Sequence, residues 1–325
     1  MNGRVVSRSV NADLDRLARL VDSALRIEAR LTPKPGLVDH RNDGAHIDMD
    51  LRTLTASADA LGPWWVEFAL VGAQHANGNG TGSRPGLGQG DGHGDDDDDD
   101  DDARFLADLR AVGRTLEQVM FDATDGVNTH KGAIFAFGLL LGCAGRRLGE
   151  GRRIDVGVCD DVGRLATTVL LDDLVASDRA PVTAGERLYR EHGLTGARGQ
   201  AASGYAAARE VGLVAYREAL EILNAQPHLA LGPMMRDRAL LHALLALLSV
   251  NSDTNLAHRG GVEAMSWVAR RAEAILAQGG ALNPDYVRLV ESFDDELIHA
   301  HLSPGGTADL LAVTIWLSTL PPVQD

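Results

Sequence analysis

The chain has 325 residues, of which 45% are hydrophobic and 4% aromatic, and this composition excludes a wholly disordered protein and favours helices over sheets. Its formal net charge is −15, but segment 77–102 contributes −8 of this through nine Asp and one Arg, so the other residues carry −7. Because no concentrated basic region is present, we expect no nucleic-acid partner.

The first predicted helix covers residues 11–31. Leu14, Leu17, Val21 and Glu28 lie on one helical face, and the helix ends near Thr32 because two prolines follow. A polar loop occupies residues 33–50, and helical periodicity returns from about Met49 to Gly72.

A low-complexity segment comes next. Residues 77–94 contain eight glycines, and residues 95–102 are an unbroken run of Asp. Such a segment buries too little apolar surface to offset the entropy lost on ordering. We therefore interpret residues 76–102 as a disordered insertion, solvated rather than metal-binding, within a single domain that spans residues 1–325.

The rest of the sequence is mainly helical in pattern, and residues 154–158 are the only short strand candidate. The fold class is therefore predicted to be all-α, a single-domain helical bundle. The later helices are predicted at 103–121, 131–148, 160–176, 200–223, 235–250, 261–279, 284–301 and 306–319.

The two cysteines, Cys143 and Cys159, have no CxxC or zinc-ligand spacing, which indicates free thiols in a reducing compartment. Residues 1–10 lack the apolar run of a secretory signal. The longest apolar stretch, 239–250, is interrupted by His242 and is too short to cross a bilayer. We expect a cytoplasmic protein with no membrane partner.

Polar residues concentrate in four segments: 34–50, 126–132, 253–261 and 303–309. The last three are Gly-containing turns that lead directly into apolar helices. Helix N-termini offer free N–H groups and the positive end of the helix dipole, and glycines let a phosphate approach the backbone. We expect these turns to surround a polyphosphate, although each of them, taken alone, is also consistent with a simple cap or turn.

Carboxylates in these segments are candidates for holding Mg²⁺ against phosphate oxygens or for acting as a general base. They are Asp39, Asp43, Asp48, Asp50 and Asp253. The structural alternatives are helix caps for Asp48 and Asp50 and an ion pair between Asp253 and Arg259.

Five segments resemble those of triphosphoribosyl-dephospho-CoA synthases, in the same order and from about residue 22 to residue 320. They are TPKPGLVDHRNDGAHIDMDL (32–51), GVNTHKGAIFAFGLLL (126–141), HGLTGARGQAASGY (192–205), DTNLAHRGG (253–261) and HLSPGGTADLLAVTIWL (301–317). The Gly/Asp segment departs from the family pattern.

The resemblance implies a helical transferase that uses ATP, with Mg²⁺, and 3′-dephospho-CoA. The ribose 2′-hydroxyl of dephospho-CoA would attack C1″ of the ATP ribose and release adenine. The product, 2′-(5″-triphosphoribosyl)-3′-dephospho-CoA, would pass to a holo-acyl-carrier-protein synthase that serves malonate decarboxylase or citrate lyase. The sequence resembles the malonate decarboxylase branch slightly more.

The reaction also suggests roles for individual residues. We expect Asp39 or Asp253 to act as base or metal ligand, His130 or His46 as proton donor, and Asp48 as a further metal ligand. The expected substrate-binding residues are Lys34, Arg41, Asn42, Asn128, Thr129, Lys131, Arg198, Arg259, Gly260, Ser303, Gly305 and Gly306.

Two other functions are consistent with the same residues. A helical metal-dependent phosphohydrolase would use the same Asp and His residues, but the sequence contains no His-Asp dipeptide. A nucleotide-binding regulator would bind ATP without turning it over.

Overall fold

The computed structural model describes residues 8–76, 95–170, 184–225 and 233–323, and no β-strand occurs within these ranges. The predicted all-α fold is confirmed. The α-helices are α1 (Arg8–Arg30), α2 (Leu51–Leu61), α3 (Trp65–Gln74), α4 (Asp95–Ala123), α5 (Lys131–Gly149), α6 (Val158–Leu165), α7 (Ala184–His192), α8 (Gly196–Ala202), α9 (Leu213–Ala225), α10 (Pro233–Val250), α11 (Thr254–Leu276), α12 (Tyr286–His299) and α13 (Gly305–Ser318).

Helix α5 is the central helix of the fold. By length and composition it could cross a membrane, yet 72% of its most apolar 18-residue window is buried inside the protein. Small residues let α3 approach it closely: a Cβ on Gly72 would overlap the Gly142 carbonyl, and one on Gly145 would overlap the Ala69 carbonyl. The α3–α5 contact is therefore backbone against backbone.

An apolar core surrounds α5 and draws on helices from α1 to α13. Phe137 of α5 packs edge-on against Trp65 of α3, with ring centroids 6.0 Å apart, and against Trp316 of α13, at 6.2 Å. All three rings are fully buried. This core fixes α13, the helix farthest along the chain, against the helices of the N-terminal half.

Several helices are interrupted where one continuous segment was predicted. A 3₁₀ turn at Gly62–Trp64, with Pro63 at its start, divides the segment 49–72. Gly204 and Tyr205 take positive φ angles, 62° and 55°, and break the segment 200–223. Gly261, with φ 78°, bends α11 and separates residues 254–260 from the helix that follows.

The short strand considered at residues 154–158 is absent, and the C-terminal part of the segment 76–102 is helical. Asp95–Asp102 are helical and begin α4, so this part of the segment does not form a loop; residues 77–94 lie outside the described residues and their disorder stays a prediction. Residues 154–158 form no strand, because this loop wraps around the Arg147 guanidinium, which binds the Asp155 carboxylate and the Gly157 carbonyl. The predicted helix end at 171–176 also lies outside the described residues.

Candidate active site

A cavity of about 460 Å³ lies where the N-termini of three helices meet. Lys131 and Gly132 begin α5, Thr254 begins α11, and Gly305 and Gly306 begin α13, and all five line the cavity. The three Gly-containing turns of the sequence are thus brought together around one volume. Their converging N–H groups and dipoles produce a positive potential that suits an anion of several charges.

Asp253 joins two of these N-termini. Its carboxylate accepts hydrogen bonds from the Thr307 N–H and hydroxyl, both at 2.7 Å, and from the Asn255 N–H at 2.9 Å. Burial raises the pKa of Asp253, and the hydrogen bonds from Thr307 oppose that rise. Because both carboxylate oxygens are occupied, Asp253 serves as the N-cap of α11 and a link to α13.

Lys34 and Glu28 form a buried ion pair at the cavity wall. The Lys34 ammonium donates to the Glu28 carboxylate at 2.6 Å and to the Glu28 carbonyl at 2.8 Å. Lys34 is 1% exposed. Its charge is therefore already compensated. Glu28 was not predicted as a site residue, although a carboxylate on the core-facing stripe of α1 is a signal that could have identified it.

Two histidines line the cavity, and burial lowers the pKa of both. His130 is 4% exposed and shares a hydrogen bond of 2.7 Å with Ser57, which also accepts one from Thr129. Burial, together with the charge of Lys34, lowers the pKa of His130 to about 4. His46 shares a hydrogen bond of 2.7 Å with Ser303, and burial, with Arg259 nearby, lowers its pKa too.

Asp309, one turn into α13, is the lining carboxyl group most disposed to keep its proton. Burial first, and then the charges of Glu28 and Asp253, raise its pKa well above the usual value. A Cβ on Gly132 would overlap the Asp309 carboxylate, so α5 begins directly against it. Asp309 was not predicted as a site residue, although it lies in the polar segment 303–309.

Tyr205 places a polar group without a partner at the cavity. It lines the cavity at 2% exposure, and its hydroxyl makes no hydrogen bond with the described part of the chain. A buried hydroxyl without a partner costs about 1–3 kcal/mol. Its backbone is also in the left-handed region. Both features indicate a group held for a ligand.

Asp39, Arg41 and Asn42 do not line the cavity; they fix their loop in place. The Asp39 carboxylate accepts from the Lys34 N–H at 2.7 Å and the Arg41 N–H at 2.6 Å. Arg41 and Asn42 donate to the buried Asp294 of α12 at 2.5 and 2.8 Å. Their role is to hold Lys34 and His46 in position.

Gly260 and Arg198 also lie outside the cavity. A Cβ on Gly260 would meet the Leu302 side chain. Arg198 lines a neighbouring cavity. The predicted residues that do line the main cavity are Lys34, His46, Asp48, Asn128, Thr129, His130, Lys131, Asp253, Arg259, Ser303, Gly305 and Gly306.

The structural alternatives for the Asp residues were helix caps for Asp48 and Asp50 and an ion pair between Asp253 and Arg259, and the structure agrees with only one of them. Asp50 is the N-cap of α2 and accepts from the Thr53 N–H at 2.8 Å, whereas Asp48 lines the cavity with its carboxylate half-exposed. Arg259 donates to the carbonyls of Ala45 and His301 instead of pairing with Asp253. Within the described ranges no group of three or more His, Cys, Asp or Glu side chains is arranged to hold a metal ion.

The fold and the cavity together define a class: an all-helical protein with a cavity at which the N-termini of three helices meet. Residues 14–324 match the family described as ATP:dephospho-CoA triphosphoribosyl transferase. The chain therefore belongs to that family and is a transferase.

Relatives with related names cover nearly the whole chain. A probable 2-(5″-triphosphoribosyl)-3′-dephosphocoenzyme-A synthase 1 of Salmonella choleraesuis is 41% identical over 303 residues, 93% of this chain and 90% of the relative. The 2-(5″-triphosphoribosyl)-3′-dephosphocoenzyme-A synthase of Klebsiella pneumoniae is 38% identical over 322 residues, 99% of this chain and 96% of the relative. A probable synthase of the same name from Vibrio cholerae serotype O1 is 41% identical over 314 residues, 96% and 90% of the two chains. No solved structure matches the chain.

Proposed function

We propose that the main cavity binds ATP and transfers its triphosphoribosyl group to the 2′-hydroxyl of dephospho-CoA. The bond from that oxygen to C1″ forms while the bond from C1″ to adenine breaks. The hydroxyl loses its proton, the departing adenine takes one up, and the triphosphate stays on the transferred ribose. The observation that carries the proposal is the convergence of three helix N-termini, which supply N–H groups to a triphosphate without many basic side chains.

Asp309 is the proposed proton donor to the departing adenine. A leaving purine departs more readily when it is protonated, and a general acid must hold its proton near neutral pH. Burial lowers the pKa values of His130 and His46, which disfavours a bound proton on either imidazole, whereas burial and the charges of Glu28 and Asp253 raise the pKa of Asp309 and favour its protonated form.

Glu28 is the proposed stabiliser of charge at the reacting carbon. Displacement at an anomeric centre passes through a state with positive, oxocarbenium-like charge, which a nearby carboxylate stabilises. Lys34 fixes the Glu28 carboxylate at the cavity wall through one hydrogen bond of 2.6 Å, and it also donates to the Glu28 backbone carbonyl at 2.8 Å. Tyr205, with its free hydroxyl, is positioned to bind a substrate oxygen.

Mg²⁺ would bind in this cavity together with the triphosphate. Mg²⁺ is commonly held by one or two carboxylates together with substrate phosphates, and it would offset part of the triphosphate charge. Of the three predicted ligands, Asp39 and Asp253 use their oxygens on backbone N–H groups. Asp48 lines the cavity and would hold the ion.

The product is proposed to supply the prosthetic group of an acyl carrier, through a holo-acyl-carrier-protein synthase. Malonate decarboxylase is the first choice and citrate lyase the second. We propose that the chain acts in the cytoplasm. Both cysteines are buried, with pKa values raised to about 12, which agrees with unreactive free thiols.

The test is chromatographic. Purified protein is incubated with ATP, Mg²⁺ and dephospho-CoA, and adenine is measured with and without dephospho-CoA. We expect adenine only when the acceptor is present, together with an equal amount of a heavier CoA product. Release of ADP, AMP or phosphate instead of adenine would support the phosphohydrolase alternative and overturn the proposal. ATP binding with no turnover would support the regulator.

A further inference from the structure

A second cavity, of about 470 Å³, adjoins the first. The two share wall residues, including Lys131, Gly132, Phe135 and Thr254. We propose that this second cavity is the acceptor site and binds dephospho-CoA with its ribose at the shared wall. This inference rests on the proposed function, because it identifies where the second substrate of that reaction lies.

One face of α4 forms a wall of the second cavity and gives it a direction. The lining residues recur every three or four positions, so they form a single stripe about 16 Å long. Along this stripe the character changes from charged to apolar. The stripe consists of Glu117, Arg114, Gly113, Arg110, Leu109 and Leu106.

The charged end of the stripe is next to the main cavity. Glu117 pairs with Lys131 at 2.9 Å, and Lys131 belongs to both cavities. At the other end, Leu106 lies in an apolar region with Phe68 of α3 and Leu139 of α5. The order along the wall, starting from the main cavity, is therefore ion pair, arginines, apolar surface.

Two of the arginines are available to an anion. Arg114, in the middle of the stripe, and Arg198, on α8, both line the second cavity. Neither side chain forms an ion pair or hydrogen bond with another residue in the described part of the chain. Guanidinium groups bind phosphate oxygens through two parallel hydrogen bonds, so this pair suits a diphosphate.

Dephospho-CoA has the same order of groups as the cavity wall. Its ribose carries the reacting 2′-hydroxyl, the 5′-diphosphate follows, and the pantetheine arm with its methyl and methylene groups comes last. Placed along α4, the hydroxyl lies at the shared wall, the diphosphate at Arg114 and Arg198, and the arm on the apolar end. A triphosphate fits the second cavity less well, because one end of this cavity is apolar.

Gly113 allows the cavity to be filled without disturbing the fold. A Cβ at this position would meet nothing within 4 Å, and the residue lies on the stripe. We expect Gly113→Leu to raise the KM for dephospho-CoA about tenfold or more, with the KM for ATP changed less than about twofold. The matched control is Ala111→Leu, which adds the side chain to an exposed position of the same helix outside the cavity.

Arg114→Ala and Arg198→Ala provide an independent test. Each should raise the KM for dephospho-CoA about tenfold, because a charge-assisted contact to phosphate is lost. Arg288→Ala, an exposed arginine that lines neither cavity, should have no effect. Calorimetric titration with dephospho-CoA alone should show the same loss of affinity without any turnover.

The opposite result would be that these variants raise only the KM for ATP, or that they change neither the KM for ATP nor the KM for dephospho-CoA. Either would overturn the acceptor assignment while adenine release by the unaltered protein still supported the proposed reaction. If the unaltered protein released no adenine, the proposed function would fail, and the calorimetric titrations would still decide whether the second cavity binds dephospho-CoA.

Discussion

At the residue scale, Asp309 shows a conflict between stability and function. Its carboxyl group lies near those of Glu28 and Asp253, and burial and these charges hold its pKa well above the usual value. A raised pKa means that the folded protein binds this proton more tightly than the unfolded chain does. Stability from this group is therefore greatest at low pH and falls as the pH rises from the usual value toward the raised one.

We expect Asp309→Asn to lower the rate of adenine release by about 10²-fold or more, because the proposed acid is lost. The same change should raise the melting temperature above neutral pH, since the amide carries no charge to bury. Melting curves across a pH series check the second effect. If the rate of adenine release and the melting temperature both fell, Asp309 would have only a structural role.

Asp285→Asn is the control for this prediction. The Asp285 side chain is 74% exposed and lies outside both cavities. The variant should therefore release adenine at the unaltered rate, and the pH dependence of its melting temperature should not change.

Most of the residues predicted for the site line the main cavity, but the sequence could not separate cavity-facing groups from loop anchors. Asp39, Arg41 and Asn42 are as polar as Lys34 and lie in the same segment. What distinguishes them is Asp294, which is more than 250 positions away and binds both Arg41 and Asn42. Glu28 was missed although it lies on the core-facing stripe of α1, because the sequence does not show that Lys34 folds back to pair with it.

At the scale of helices, the α3–α5 contact depends on glycines. Gly145→Ala should destabilise the protein by about 1–3 kcal/mol, because a Cβ would overlap the Ala69 carbonyl and the two backbones would have to separate. Gly113→Ala is the matched control. That position is also helical but open, and alanine there should stabilise the protein by about 0.5–1 kcal/mol.

Denaturant unfolding of both variants measures these changes. Equal effects at the two glycines would mean that helix propensity, and not the close approach of α3 and α5, determines the outcome.

Most helix positions were predictable from apolar periodicity, whereas α7 (Ala184–His192) and several interruptions were not. The segment 49–72 was predicted as continuous helix although it contains Pro63, which sits at the start of a 3₁₀ turn that continues directly into α3. Tyr205 takes a positive φ, which no propensity favours for a tyrosine. The tertiary position of its ring, buried at the cavity, maintains that geometry.

At the scale of the whole molecule, a chain with a formal charge of −15 is expected to bind a polyanion. Local potential, and not net charge, governs this, because the helix N-termini act at short range. Inorganic tripolyphosphate should therefore raise the melting temperature, with about 2.7 kcal/mol of stabilisation at a hundredfold excess over its Kd.

Differential scanning fluorimetry with tripolyphosphate, and with sodium chloride at equal ionic strength, tests this. A shift of equal size with the chloride salt would show that general screening, and not binding in the cavity, is responsible.

The main cavity draws on α1, α5, α11 and α13, and α13 follows the other three along the chain. During synthesis on the ribosome, the site therefore does not exist until residues 305–309 have emerged. A nascent chain cannot use nucleotide as a folding template, however abundant ATP is around it. The apolar core must bring the helices together unaided, and ligand can stabilise only a chain whose translation has passed the start of α13.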